Sequence, residues 1–112
     1  MDTDLAGADD DKNGHGTHVA GTVIAKTYGV AKKANAIAVK VLPDSGGGTV
    51  SDAIAGIDWV VAQVEANPII PALINMSFSS TESPPLDQAV NNVSGEDVCI
   101  PFLIHTYTGL GC

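Results

Sequence analysis

The spacing of apolar side chains in the first half of the chain predicts one helix followed by one strand. Between residues 17 and 26 the apolar positions recur on one face of a helix, and Gly29 is expected to close that helix. The run 36–42 (AIAVKVL) is rich in β-branched residues and is followed by Pro43. Such a run is typical of a largely buried strand.

The second half repeats the alternation. Ser51 is a good N-cap for a helix that the Asn-Pro pair at 67–68 ends, and the run 73–78 (LINMSF) predicts a second strand. Pro84 is expected to open a third helix, and 98–104 to form a third strand at a sheet edge. Helices and strands in this order predict the α/β class, as a partial three-layer α/β sandwich with a parallel sheet.

Composition removes several classes of function. The chain has 112 residues, 13 of them acidic against 5 basic, and a formal charge of −8. This balance argues against binding to nucleic acid and to an anionic membrane surface, because both need basic side chains. No apolar run approaches the ~20 residues that span a bilayer. The first residues carry no signal-peptide pattern. At 45% hydrophobic and 16% charged, the chain is too apolar for a disordered tail.

The most informative segment is 13–22, which reads NGHGTHVAGT. It places His15 where a glycine-flanked turn meets the start of a helix, with room for a substrate beside the imidazole. Gly21 weakens that helix, which suggests that another group packs closely on its face. His18, one helical turn on, is expected to point toward the core and to make structural hydrogen bonds.

This segment resembles the histidine motif of the subtilisin-like serine proteases (subtilases), in particular their proteinase K-like branch. The resemblance covers residues 11–92, while 93–112 diverges. Further blocks that resemble the family follow in order, at 27–34 (TYGVAKKA), 39–42 (VKVL), 46–48 (GGG), 55–59 (AGIDW) and 75–77 (NMS).

The resemblance implies roles for several residues. His15 matches the general base of a Ser-His-Asp triad. Two segments match the strands that pair with an extended peptide substrate, the first being Gly46, Gly47 and Gly48, and the second Ser77, Phe78 and Ser79. Ser79 and Ser80 stand where the family usually has glycine, which puts substrate specificity in doubt.

The chain has one of the three triad residues. Asp2-Thr3-Asp4 lacks the glycine and the preceding apolar strand of the family's aspartate motif, and the serine motif G-T-S-M-A-T-P is absent from the sequence. The resemblance therefore implies a serine endopeptidase that acts on extended polypeptides, with residues 1–112 as a single incomplete peptidase domain that is inactive alone. It also implies an extracellular protein, and it gives no cofactor: structural calcium is common in the family, but no site carries over.

Three alternatives remain open. Part of the acidic N-terminal loop matches the first half of an EF-hand calcium loop, namely Asp9, Asp11, Asn13 and Gly14. Ala20 stands where that loop needs a bidentate Glu, so any metal site there is weak. His15 and His18 with Asp11 are a weak zinc pattern. The other two alternatives are a nucleotide-binding module at the glycine-rich loop 46–48, and a fragment with no activity of its own.

Overall fold

The structure is a computed structural model, and it describes residues 10–67, 72–93 and 98–99. The chain divides into two units, Met1–Thr49 and Val50–Cys112.

The first unit contains helix α1, His15–Ile24. The predicted helix is confirmed, but it begins and ends two residues earlier than expected. It ends because the chain folds back after Ala25: the amide of Gly29 donates to the carbonyl of Ala25 at 2.8 Å, and that of Ala31 to Val23 at 2.7 Å. A Cβ on Gly29 would lie 2.3 Å from the backbone nitrogen of Ala25, so only glycine fits this fold-back.

The strand predicted at 36–42 is wrong, since the structure shows no strand at any of these residues. Its expected burial is also wrong at the start, where Ile37 is 63% exposed. The physical reason is that a strand is stabilised by hydrogen bonds to a neighbouring strand. No residue that the structure describes in the first unit supplies one, and an apolar run by itself does not make a strand.

The second unit has two helices and a short parallel ladder. The helices are α2, Val50–Ala66, and α3, Pro84–Val93. Strand β1, Ala72–Leu73, pairs in parallel with β2, Val98–Cys99. The crossover through α3 therefore joins two parallel strands, as predicted, although both strands are much shorter than expected. Residues 74–78 are irregular, and 100–104 lie outside the described residues.

The core of the second unit lies between α2, α3 and the segment that follows β1. Its buried apolar residues come from all three, and they are Ala53, Ile57, Met76, Leu86, Val90 and Val93. Half-buried residues at helical spacing on α2, among them Ile54, Val61 and Val64, pack against them. The apolar positions of both helices thus contribute to one core, and Pro84 opens α3 as expected.

Candidate active site

The start of helix α1 is capped by a residue outside the helix. The N-cap residue, Gly14, has φ +83° and no side chain that can bond the free amides of the first turn. Asp11 performs this task from three residues earlier. Its carboxylate accepts hydrogen bonds from the Gly14 amide at 2.9 Å, the Thr17 amide at 2.8 Å and the Thr17 hydroxyl at 2.7 Å.

These bonds change the acidity of Asp11. The Thr17 hydroxyl, then the Thr17 and Gly14 amides, and more weakly the charge of Lys40 hold the pKa of Asp11 down at about 2, against an ordinary 3.8. Hydrogen bonds to the ionised form of a carboxyl always act in this direction. Asp11 is therefore a carboxylate throughout the neutral and mildly acidic range.

We expect a carbon-13 titration of the Asp11 carboxyl to show a midpoint of about 2. Because the folded-state pKa lies below its ordinary value, the carboxylate stabilises the folded chain above about pH 4. That contribution is lost as the pH falls through about 2. In Thr17→Val the midpoint should rise toward the ordinary value, whereas Thr17→Ser, which keeps the hydroxyl, should leave it low. An equal midpoint in both variants would contradict this assignment.

His15 is the first residue of α1 and is exposed to solvent. The backbone on either side of it is fixed, because Gly14 and Thr17 both donate to Asp11. The amide of His18 donates to the Gly14 carbonyl at 3.0 Å and closes the first turn of the helix. The position of His15 is thus set by hydrogen bonds within a short stretch of chain.

Two expectations about the rest of α1 are wrong. His18 is exposed instead of core-facing, although its carbonyl accepts a hydrogen bond from the Thr22 hydroxyl at 3.1 Å. A Cβ on Gly21 would meet no atom within 4 Å in the described part of the chain. The reason is common to both, since no residue of α1 is buried.

The glycine loop, residues 46–48, follows a tight turn. The Gly46 amide donates to the Pro43 carbonyl at 2.9 Å, and Gly46 has φ +87°, which favours glycine. A Cβ on Gly48 would lie 2.9 Å from the carbonyl oxygen of Val41, whereas one on Gly47 would meet nothing within 4 Å. The loop therefore runs close to its own preceding segment and leaves open space at its middle residue.

This contrast gives a paired test of the glycine loop. Gly48→Ala should lower the free energy of unfolding by roughly 1–3 kcal/mol, the usual cost of forcing a methyl into occupied space. Gly47→Ala adds the same methyl one residue earlier, in open space, and should change stability by no more than about 0.5 kcal/mol. Urea unfolding of both variants measures the difference, and equal values would contradict the close approach at Gly48.

Asp44 joins the glycine loop to the segment that precedes His15. The side-chain amide of Asn13 donates to the Asp44 carbonyl at 3.1 Å. The ammonium group of Lys40 donates to the Asp44 carboxylate at 2.8 Å, and that of Lys12 lies 3.7 Å from it. The hydrogen bond from Lys40, supported by the charges of both lysines, lowers the pKa of Asp44.

The second predicted substrate segment, Ser77, Phe78 and Ser79, belongs to the second unit. There, the side-chain amide of Asn75 donates to the Ser77 hydroxyl at 2.9 Å. Ser77 and Phe78 are half-buried, Ser79 is exposed, and Met76 before them is in the core. Within the first unit, the structure brings together the segment before His15 and the glycine loop.

The metal-site alternative finds no support in the described ranges. Among residues 10–67, 72–93 and 98–99, no group of three or more His, Cys, Asp or Glu side chains is arranged to hold a metal ion. Both Asp11 oxygens already accept hydrogen bonds at the start of α1. Asp9 lies outside the described residues.

In the part of the chain that the structure describes, no helix is long and apolar enough to cross a membrane.

A search against models of protein families matches residues 2–100 of the chain to the subtilase family. The chain belongs to the subtilase family. This confirms the resemblance that the histidine motif and the blocks after it predicted, and the matched range includes 11–92.

Subtilases among the curated proteins are similar over about three quarters of the chain. A putative subtilase-type proteinase of sexual differentiation, isp6 of Schizosaccharomyces pombe, is 50% identical over 84 residues, which are 75% of this chain and 18% of that protein. Alkaline serine exoprotease A of Vibrio alginolyticus is 49% identical over 82 residues, 73% of this chain and 15% of that protein. Cerevisin of Saccharomyces cerevisiae is 47% identical over 87 residues, 72% of this chain and 14% of that protein.

A solved structure is also similar. The crystal structure of a cold-adapted subtilisin-like serine proteinase matches with a TM-score of 0.71 at 44% identity, over 81% of this chain and 32% of that one. This confirms the predicted α/β class, and the described residues form three helices and two short strands. The chain thus spans less than a fifth of the three curated relatives above and about a third of the solved subtilase.

Proposed function

We propose that this chain supplies the general base and part of the substrate-binding surface of a subtilisin-like serine endopeptidase. The observation that carries the proposal is the arrangement of the first unit. His15 begins a helix whose first turn is fixed by Asp11, and Asn13, two residues before it, bonds Asp44 beside the glycine loop. A base and a peptide-binding loop are thereby held in one short-range network.

In the proposed reaction, His15 takes the proton of a serine hydroxyl as that oxygen attacks the peptide carbonyl, and it then gives the proton to the leaving amine. An exposed imidazole on a fixed backbone suits this exchange. The 112 residues contain neither the family's serine motif nor its aspartate motif. We therefore expect the chain alone to be inactive, as a single incomplete peptidase domain with its family part at 11–92 and a divergent 93–112.

The proposed substrate is an extended polypeptide. Backbone pairing with a strand-like segment needs close approach, and the open space at Gly47 allows it. Ser77, Phe78 and Ser79 are proposed as the second pairing segment, with Ser79 and Ser80 narrowing the space that the family's glycines leave. We infer an extracellular location for the protein, as the resemblance implies.

A chimera tests this function. Residues 10–92 of this chain replace the aligned segment of alkaline serine exoprotease A from Vibrio alginolyticus, to which the chain is 49% identical over 82 residues. We expect the chimera to hydrolyse a chromogenic peptide at a rate within about tenfold of the parent, since related segments of similar packing substitute for one another with modest loss.

The parent enzyme and a chimera with Lys26→Ala serve as controls, because Lys26 is exposed beyond the end of α1. A chimera that folds, as judged by circular dichroism, and yet has no peptidase activity would overturn the proposal that this segment supplies a competent base.

A further inference from the structure

Asp44 is the point at which three stretches of the first unit meet. Lys12 and Asn13 reach it from the segment before His15, Lys40 reaches it from the run before the turn, and the glycine loop begins two residues after it. We propose that Asp44 is a positioning residue that holds the glycine loop in the conformation that pairs with an extended peptide. The inference rests on the proposed function.

The link has two independent arms. In one arm, the Asp44 main-chain carbonyl accepts a hydrogen bond from the Asn13 side chain, across 31 positions of sequence. In the other, the Asp44 carboxylate binds the Lys40 ammonium at 2.8 Å, with that of Lys12 at 3.7 Å. The Lys40 side chain is only 21% exposed, so this pair is better shielded from water than an ordinary surface ion pair.

The first arm also reaches the loop. A Cβ on Gly46 would lie 3.3 Å from the Asn13 side-chain nitrogen, so the Asn13 amide sits against Gly46 as well as bonding Asp44. Gly46 is further fixed by its bond to Pro43. Asp44 and Asn13 thus hold the beginning of the loop and leave its middle residue, Gly47, open.

Fixing this loop matters because three successive glycines have large conformational freedom. A loop that orders only when the peptide arrives uses part of the binding free energy for its own ordering, which weakens binding. A loop that is already held in place uses none of the binding free energy for its own ordering. The predicted consequence is a lower KM for substrates long enough to pair with the loop, with the chemical step unaffected.

The test compares two substrates in the chimera defined above. Asp44→Asn keeps the main-chain arm and the side-chain shape but removes the charge that binds Lys40. We expect it to raise KM for an extended tetrapeptide substrate by roughly three- to tenfold, with kcat unchanged. A single-residue ester, too short to reach the loop, should show no change. Asn13→Ala removes the other arm and should give the same pattern.

The matched control is Asp58→Asn, which removes the same charge from an exposed position on α2. It should leave both substrates unaffected. Equal losses on the peptide and the ester would overturn the inference, because they would indicate general damage to the fold. So would an unchanged KM for the tetrapeptide in both Asp44→Asn and Asn13→Ala.

A second measurement needs no activity. In the 112-residue chain, amide exchange at Gly46 should become several-fold faster in Asp44→Asn and in Asn13→Ala, and stay unchanged in Asp58→Asn. Unchanged exchange at Gly46 in both variants would overturn the inference. If the chimera is inactive while amide exchange at Gly46 is still faster in the two variants, the proposed function is contradicted. The positioning of the loop by Asp44 is then still supported.

Discussion

Replacing His15 by Ala in the chimera is expected to lower turnover of a chromogenic peptide by about 10⁶. The magnitude is the measured one for subtilisin, itself a subtilase, in which loss of the triad His costs about as much as loss of the whole triad. The physical reason is that the serine hydroxyl is a weak nucleophile unless a base takes its proton.

The His15→Ala chimera should also keep a residual activity. Activity of His15→Ala should remain some 10³–10⁴-fold above the uncatalysed rate, because the parent still binds substrate and stabilises the oxyanion. Lys26→Ala should retain the activity of the unmodified chimera. If His15→Ala kept even a tenth of that activity, His15 would not be the general base, and the assignment from the histidine motif would fall.

The second large effect concerns the core of the second unit. Ile57→Ala should lower the free energy of unfolding by about 2–5 kcal/mol, the range for a large-to-small change at a buried position. The Ile57 side chain is 3% exposed at the centre of α2 and packs among residues of α3.

Asp58→Ala is the control for Ile57→Ala. It alters the adjacent residue of the same helix, but on the exposed side, and should change stability by no more than about 0.5 kcal/mol. Urea unfolding, followed by the far-ultraviolet circular dichroism of the helices, compares the two variants. Similar midpoints for both would show that Ile57 does not lie in a packed core.

The helices were predictable from the sequence because their signals are local. The apolar spacing of α2, the proline at the start of α3 and the buried positions of both helices depend on residues a few places apart. Strands depend on partners elsewhere in the chain. The run 36–42 has strand composition but no neighbouring strand in the described first unit, and β1 extends only as far as its pairing with β2.

In the candidate site, too, local sequence signals pointed to some residues, and residues whose partners are distant in sequence gave no signal. The roles of His15 and of the glycine loop are predictions from the ten-residue histidine motif and from the family resemblance. The capping role of Asp11 was missed because an acidic residue near histidines was weighed as a metal ligand. A carboxylate shortly before a glycine N-cap, with a threonine in the first turn, is the signal that identifies it. Asp44 gave no signal, since its partner Asn13 lies 31 positions away.

The exposure of α1 has a consequence for how the proposed base is held. Isolated helices shorter than about 12–15 residues are marginal in water, and this one, of 10 residues, buries none of them. Its first turn therefore depends on the carboxylate of Asp11, which accepts three hydrogen bonds there. Acid, by protonating that carboxylate, should loosen the helical turn that carries His15 as the pH falls through about 2.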